Sequence, residues 1–218
     1  MSGKSNQDPR IISSQNANFY DEIADHYDLL MSNQDRNAKT RVKVAAKFTQ
    51  IVQSGSIMDF GGGTGLDLPW LSKQNYQIYF CEPSLGMRQK AIDLNQNKIR
   101  NPNINFLMGS NIDFANWPGN SPFPHSLDGI LTNFAVLNNI PNLPLLFQSF
   151  SLVLKPGGNL IACILDNRIW SILRHYPFQF LKSLIAGKTI STVIHYKEYE
   201  QMVYIHTMKQ IRKASELY

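Results

Sequence analysis

The sequence predicts an α/β protein built on a doubly wound, mainly parallel sheet. Between residues 54 and 165, five short apolar segments alternate with segments of helical periodicity, which is typical of strands joined by crossover helices. The first apolar segment, residues 57–60, runs into a turn in which Gly61, Gly63 and Gly65 alternate. Sheets of this kind bind ligands beyond the C-terminal ends of their strands. We therefore expect a ligand site at this turn.

The elements of the sheet are predicted in chain order. Strands are expected over residues 57–60, 76–81, 104–108, 127–134 and 159–165. Helices are expected over residues 66–74, 85–96 and 143–154, with Ser84 as the N-cap of the second. Two helices precede the sheet, one from Phe19 to Leu30 and one over residues 36–53 with a buried stripe of Val42, Ala45, Ala46, Phe48 and Val52.

Beyond the fifth strand the pattern becomes irregular. Residues 167–188 are aromatic and basic and are expected to be helical on both sides of Pro177. Residues 190–205 are β-branched and aromatic, which predicts strands or a hairpin, and residues 206–217 predict a helix. At the other end, residues 1–18 are rich in Ser, Asn and Gln, which predicts a flexible arm.

Composition limits the class of protein. A chain of 218 residues with 43% hydrophobic residues suffices for one domain with a substantial core. No apolar run approaches the roughly 20 residues that cross a bilayer, and no secretory signal is visible, so we expect a cytoplasmic protein without a membrane partner. Cys81 and Cys163 lie in apolar segments and are expected to be buried free thiols. A metal site is not expected, because zinc would require more Cys or His at ligand spacing.

The net charge of +5 is unevenly distributed. Residues 1–154 carry equal numbers of basic and acidic residues, so the whole excess lies in residues 155–218. A basic segment can meet an anionic substrate or nucleic acid. No dense Lys/Arg block supports that interpretation, so a solvated surface is the simpler one and a nucleic-acid partner is not expected.

The glycine turn is compatible with two kinds of cofactor. A dinucleotide fold uses G-x-G-x-x-G, which would place the third glycine at position 66, where this chain has Leu66. The spacing present is D-x-G-x-G-x-G, from Asp59 to Gly65. Glu82 ends the second strand, where a carboxylate can accept hydrogen bonds from both ribose hydroxyls, but this acid is common to NAD folds. An NAD-dependent enzyme therefore stays an alternative.

This glycine motif resembles the first motif of class I S-adenosylmethionine-dependent methyltransferases. Four other features agree with that family in its order: Glu82, a PS-x-x-M-like turn over residues 83–87, an L-x-PGG-like element over 154–158, and a lid helix over 19–28 similar to YD-x-x-A-x-x-YD. Together they cover about residues 19–165. The resemblance implies a Rossmann-like fold, S-adenosyl-L-methionine as the cofactor and methyl transfer as the activity.

The resemblance also implies a set of cofactor-binding residues: Tyr20, Tyr27, Asp59, Gly61, Gly62, Gly63, Gly65, Glu82, Pro83, Met87, Ser110, Asn111, Asn133 and Phe134. Asp59 is expected to hold the turn or the cofactor's ammonium group. Tyr20 or Tyr27 would close over the cofactor, with core packing as the equal alternative. Ser110 stands where the family often has an acid for the adenine amino group, with Asn111 next to it.

The acceptor is expected to be a small molecule. The segment from Asn133 resembles the N-F-x-x-L-N form of many small-molecule members and differs from the N/D-P-P-Y/F of enzymes that methylate amide or nucleobase nitrogens. RNA or protein methylation, and an inactive binding or regulatory protein, stay open as alternatives. No catalytic base is nominated; the candidates are His26, His175, His195, His206, Tyr196 and Tyr199.

The predicted domain organisation follows from these assignments. An arm over residues 1–18 precedes one domain over 19–218, with a helical lid at 19–53, a cofactor-binding core at 54–165 and an acceptor-side region at 166–218. The family usually adds two strands after the last helix, and this chain shows none. It is expected to be either a naturally short variant or a truncated piece, with the fifth strand as a sheet edge partly covered by residues 190–205. The oligomeric state is left open.

Overall fold

The computed structural model describes residues 9–32, 35–117, 126–165 and 189–216, together with residues 174, 175, 177, 178 and 181. The side chains of residues 9–15 and 32 are not described. Residues 118–125 and most of the predicted helical segment over 167–188 lie outside the described residues.

A five-stranded parallel sheet forms the centre of the molecule, which confirms the predicted fold class. Its strands are β1 (Gly55–Phe60), β2 (Tyr76–Cys81), β3 (Ile104–Phe106), β4 (Leu127–Thr132) and β5 (Leu154–Ala162). They lie in the order β3-β2-β1-β4-β5. The chain therefore moves outward from β1 in one direction and then returns to its other side. The point where the direction reverses lies between β1 and β4, which is where a ligand is expected in such sheets.

Helices cover both faces of the sheet. They are α1 (Pro9–Ser32), α2 (Asp35–Ile51), α3 (Leu68–Leu71), α4 (Leu85–Leu94), α5 (Leu143–Val153) and α6 (Met208–Ser215). On one face Phe48 and Val52 close the core over Ile57 and Ile78, all four buried. Gly129 on β4 permits the close approach of this helical segment, because a β-carbon there would lie 2.8 Å from Val52 Cγ2. The other face is covered by α5 and α6.

Several helix predictions were wrong in extent. The segment over residues 9–18 is part of α1 rather than of an arm, and it is held in place because buried Asn16 bonds to the backbone of Met202 and Asn139. In α2 the stripe is narrower than predicted, since Val42 is 69% exposed and Ala46 is also exposed. Helix α3 is a single turn that begins at Leu68 rather than Leu66. Pro69 lies in its first turn, where a missing N–H costs little.

Residues 190–205 form an antiparallel hairpin of β6 (Ile190–Tyr196) and β7 (Tyr199–Ile205), one of the two predicted forms. The hairpin packs mainly on α1 and on the turn after β4, not along β5 as expected. The rings of Phe19 and Tyr196 meet edge to face at 6.5 Å. Among the described strands, β5 is an edge of the sheet. The hairpin instead lies beside α1 and the turn that follows β4.

No described helix is both long and apolar enough to cross a bilayer. In the same part of the chain, no cluster of His, Cys, Asp and Glu is placed to hold a metal ion.

Candidate cofactor and acceptor site

A cavity of about 720 Å³ lies over the C-terminal ends of β1, β2 and β4. This volume is within the usual range for small-molecule and cofactor sites. Nine of the predicted residues line it: Tyr20, Tyr27, Gly61, Gly63, Glu82, Pro83, Met87, Asn133 and Phe134. The other five, Asp59, Gly62, Gly65, Ser110 and Asn111, do not line this cavity.

The glycines of the turn differ in what they face. Gly61, Gly63 and Gly65 all have positive φ, at 71°, 59° and 83°. A β-carbon on Gly61 would lie 2.6 Å from Val136 Cγ1, and one on Gly65 would lie 3.0 Å from Ala91 Cβ. A β-carbon on Gly63 would have only Tyr27 Cε1 within 4 Å, at 3.9 Å. Gly63 is therefore the glycine that leaves its space to the cavity, whereas Gly61 and Gly65 permit close packing.

Gly62 and Asp59 support the turn from below. A β-carbon on Gly62 would lie 2.2 Å from the Phe80 ring and 2.9 Å from Asp59 Oδ2. Asp59 is 1% exposed, and its Oδ2 has no hydrogen-bond partner among the described residues. Burial, and then the carboxylate of Asp67, raise the pKa of Asp59 well above its usual value. A buried, unsatisfied carboxyl under the turn is a group that a nearby cation would stabilise.

Glu82 links the end of β2 to the glycine turn. Its Oε2 accepts a hydrogen bond from the Gly63 amide at 2.8 Å, and its Oε1 accepts one from the Ser84 amide at 2.8 Å. The side chain is buried but lines the cavity. Burial raises the pKa of Glu82 to about 7, against the opposing effect of the two amide hydrogen bonds. The carboxylate is thus held rigidly, with its remaining acceptor capacity available to a ligand.

Helix α1 is fastened over the cavity by two acids of the lid motif. Asp21 Oδ1 accepts hydrogen bonds from Ser84 Oγ at 2.5 Å and from the Gly86 amide at 2.8 Å. Asp28 Oδ1 accepts one from Thr64 Oγ1, at 2.5 Å. These contacts bind the lid to the N-terminus of α4 and to the glycine turn. They give the aspartate that follows each lid tyrosine a structural role in this chain.

The two lid tyrosines line the cavity and also pack in the apolar cluster that α1 forms with Met87 of α4. The Tyr20 hydroxyl accepts hydrogen bonds from Gln201 Nε2 at 2.7 Å and from Asn139 Nδ2 at 3.2 Å. Gln201 also donates to Asn139 Oδ1 at 2.8 Å. Burial raises the pKa of Tyr20 and of Tyr27, so both remain neutral phenols at physiological pH. Cofactor contact and packing are therefore not exclusive roles here.

The segment after β3 contributes different residues from those predicted. Ser110 is exposed, and the Asn111 carbonyl accepts a hydrogen bond from Trp117 Nε1 at 3.0 Å. The acid that lines the cavity is Asp113, which caps the next short helical turn by accepting the Ala115 amide at 3.0 Å. The sequence does show an acid three residues beyond the expected position 110, and this acid could have been considered. The 3-10 turn over Gly109–Ile112 places Asp113 at the cavity.

Arg41 is a second residue that the sequence analysis missed. Its Nη1 lies 2.5 Å from Asp67 Oδ2, and its guanidinium carbon lies 4.4 Å from the centre of the Phe134 ring. Asn133 Nδ2 also donates to Asp67 Oδ2, at 2.9 Å. Arg41 lines a small cavity beside the glycine turn together with Tyr27. In the sequence, Arg41 belongs to the polar positions of α2. The helical periodicity therefore gave no indication that its side chain turns toward the glycine turn.

The strand β4 side of the site is locally strained. Phe134 and Ala135 both have positive φ, at 51° and 65°. Such backbone conformations in non-glycine residues concentrate at functional sites.

The candidate bases do not line the cavity. His26, His175 and His195 are exposed. His206 is buried, and its Nε2 lies 2.9 Å from the Ile140 carbonyl oxygen, while burial lowers its pKa. Tyr196 and Tyr199 pack against the hydrophobic side of α1.

Sheet order, glycine turn and the acid at the end of β2 define a doubly wound α/β domain that binds a nucleotide-type cofactor. Residues 31–212 match the family model described as Methyltransferase domain, and the chain belongs to this family. No curated protein matches the sequence significantly.

Solved structures agree with this fold. A complex of DhpI with S-adenosylhomocysteine (SAH) is similar with a TM-score of 0.64 at 12% identity, covering 94% of this chain and 86% of that one. An S-adenosylmethionine-dependent methyltransferase from Clostridium acetobutylicum is similar with a TM-score of 0.58 at 16% identity, covering 90% of this chain and 86% of that one. A methyltransferase of the same kind from Methanosarcina mazei has a TM-score of 0.59 at 19% identity, covering 73% of this chain and 76% of that one.

The sequence motifs predicted this membership, since they resemble those of class I S-adenosylmethionine-dependent methyltransferases, a family that binds S-adenosylmethionine. The cavity fits this cofactor on three counts: open space at Gly63, a buried carboxylate at Glu82 and the unsatisfied Asp59 beneath the turn.

Proposed function

We propose that this protein transfers a methyl group from S-adenosylmethionine to a small-molecule acceptor. The cavity supports this proposal, because it continues beyond the glycine turn and Glu82 to a wall formed by α1 and the turn after β4. The described side chains of that wall are uncharged: Asn16, Ala17, Tyr20, Asn139, Ile140 and Asn142. The contacts of Asp21 and Asp28 hold α1 in place beside this space, which favours an acceptor small enough to fit between α1 and the turn after β4.

We assign the cofactor contacts from the same geometry. Glu82 would accept hydrogen bonds from the ribose hydroxyls, and Gly61 and Gly63 would lie against the methionine end. Asp113, rather than Ser110, would face the adenine end, where Pro83 and Met87 would supply apolar contact. Arg41, beside the turn, would bind the cofactor's carboxylate.

When bound, the cofactor supplies an electrophilic methyl group on a sulfonium. The protein contributes to the reaction by aligning the acceptor with the methyl group and by excluding water. No His or Lys lines the described part of the cavity, and Tyr20 and Tyr27 hold their protons. The two acids that line it, Glu82 and Asp113, are assigned to the cofactor above. We therefore expect an acceptor whose nucleophilic atom does not need to be deprotonated by a side chain of the described cavity.

The acceptor class can be tested with radiolabelled S-adenosylmethionine. The purified protein is incubated with pooled small metabolites, with total RNA and with a protein extract. We expect label in the small-molecule fraction. Label in RNA or protein alone would reject a small acceptor, and SAH binding without any transfer would indicate an inactive binding protein.

Arg41→Met is expected to weaken SAH binding about tenfold or more, because a charge-assisted hydrogen bond contributes about 1.5–3 kcal/mol. Calorimetry measures this loss. Arg36→Met, on the exposed side of the same helix, is the matched control and should leave the affinity unchanged. Adenosine lacks the carboxylate, so its affinity should be the same in both variants. An equal loss for adenosine in Arg41→Met would show that the site itself had collapsed.

Cofactor affinity should depend on pH through Glu82. With a pKa raised to about 7, the free protein holds this carboxyl largely protonated at pH 6 and ionised at pH 8. The raised pKa stabilises the free fold at low pH, and that contribution is lost as the pH rises through about 7. Ribose hydroxyls need the ionised acceptor, so SAH should bind about tenfold more weakly at pH 6 than at pH 8. Calorimetry at both values checks this, and a flat profile in the wild type would contradict it.

A further inference from the structure

The outward face of α2 carries a row of four basic side chains. Arg36, Lys39, Lys43 and Lys47 follow one another at steps of three, four and four residues, and all four are exposed. These steps place them on one side of the helix, along about 16 Å of its length. The opposite side bears buried Phe48. The row therefore faces solvent along almost the whole helix.

Folding does not explain this row. Like charges four residues apart destabilise a helix, and the row contains two such pairs. The sole acid on α2 is Asp35, in its first turn. Within the residues the structure describes, no ion pair joins any of the four to a carboxylate, and Lys47 bonds only to Gln50 Oε1, at 3.4 Å. An external polyanion would relieve the repulsion.

Exposed aliphatic side chains border the row. Val42 is 69% exposed and Ile51 is 39% exposed, both on α2. Leu30, near the end of α1, is 52% exposed. Asn37 Nδ2 donates to the Met31 carbonyl at 3.1 Å, which places the end of α1 against the first turn of α2. Leu30, the residue before Met31, therefore lies near the first turn of α2.

The combination favours a lipid surface over a nucleic acid. Lysines beside exposed aliphatic groups suit the headgroup and acyl boundary of an anionic membrane. Single-stranded nucleic acids are usually held by exposed aromatic rings as well as cations. The one aromatic residue of α2 is Phe48, and it is fully buried. We infer that the outward face of α2, together with Leu30, docks the protein on an anionic lipid surface. This peripheral contact differs from the sequence-based expectation of no membrane partner, which considered only spanning segments and secretory signals.

Vesicle sedimentation with the full chain tests this inference. Vesicles of phosphatidylcholine with about 30% phosphatidylserine should bind the protein at low salt, and pure phosphatidylcholine vesicles should bind it far less. Added salt should weaken the interaction, because exposed charges are screened. The triple substitution Lys39→Gln/Lys43→Gln/Lys47→Gln should lower the apparent affinity at least about tenfold. Val42→Ser should weaken binding without changing the charge.

The matched control is Lys209→Gln/Arg212→Gln/Lys213→Gln, which removes the same charge from exposed positions of α6. This control should bind anionic vesicles like the wild type. Circular dichroism and SAH-induced thermal stabilisation verify that each variant is folded. Equal losses in both triple variants would overturn the inference, because net charge alone would then explain binding. Wild-type protein that ignores anionic vesicles, or that binds only a single-stranded RNA oligonucleotide, would overturn it as well.

Discussion

Gly63→Val is expected to abolish binding of SAH while the protein stays folded. A β-carbon at Gly63 meets only Tyr27 Cε1, at 3.9 Å, so the added side chain would occupy the cavity rather than clash with the core. The valine would also adopt a φ of 59°, a strain of about 1–3 kcal/mol. Calorimetry measures the binding, and circular dichroism the fold.

Variants of two other glycines serve as controls that distinguish backbone strain from the loss of space for the ligand. Gly157 has a φ of 80° with nothing within 4 Å of a β-carbon, and it does not line the cavity. Gly157→Val should therefore carry similar strain and still bind SAH. Gly65→Val should destabilise the fold itself, because its β-carbon would lie 2.9 Å from Leu68 and 3.0 Å from Ala91. Unchanged affinity in Gly63→Val would refute the site.

Glu82→Gln should lower SAH affinity about a hundredfold. The substitution keeps the shape but removes the charge, and hydrogen bonds to charged groups contribute about 1.5–3 kcal/mol each. It also turns an amide N–H toward the backbone N–H of either Gly63 or Ser84, both of which now donate to the carboxylate. Calorimetry with SAH measures the loss.

The ligand supplies the control for this variant. If Glu82 binds the ribose hydroxyls, the wild type should prefer adenosine to 2′-deoxyadenosine, and Glu82→Gln should lose most of that preference. An unchanged preference would show that Glu82 serves only to hold the glycine turn.

The central sheet was predictable because its signals are local. Alternating apolar and helical segments located all five strands, and β2 has the predicted bounds. Element ends were less predictable. The predicted third strand ran to Met108, but β3 stops at Phe106, since the chain turns into the short helix that presents Asp113.

The site residues also differ in how far the sequence could predict their positions. Glu82 and Asn133 follow directly after strands, so their positions could be read from the sequence, and both line the cavity. The contacts of Tyr20 could not be read in this way, because its partner Gln201 lies 181 residues further along the chain. Arg41 was missed for a related reason: its direction is set by Asp67 and Phe134, which lie on other elements.

The lid helix shows what a motif leaves unexplained. The resemblance located the helix around Tyr20 and Tyr27, but it did not give a physical reason for Asp21 and Asp28. The structure shows that both aspartates fasten the helix to groups beside the cavity. The earlier start of α1 was hidden because Asn16 is polar in sequence yet buried in the fold, with its amide satisfied by backbone groups.

Native mass spectrometry tests the central claim most directly. The purified protein is mixed with equal amounts of SAH and NAD and measured without denaturation. The family match predicts one bound SAH per chain and no bound NAD, and the open space at Gly63 predicts no SAH on the Gly63→Val variant. Binding of NAD in place of SAH, or equal SAH binding by wild type and variant, would contradict the assignment of this cavity.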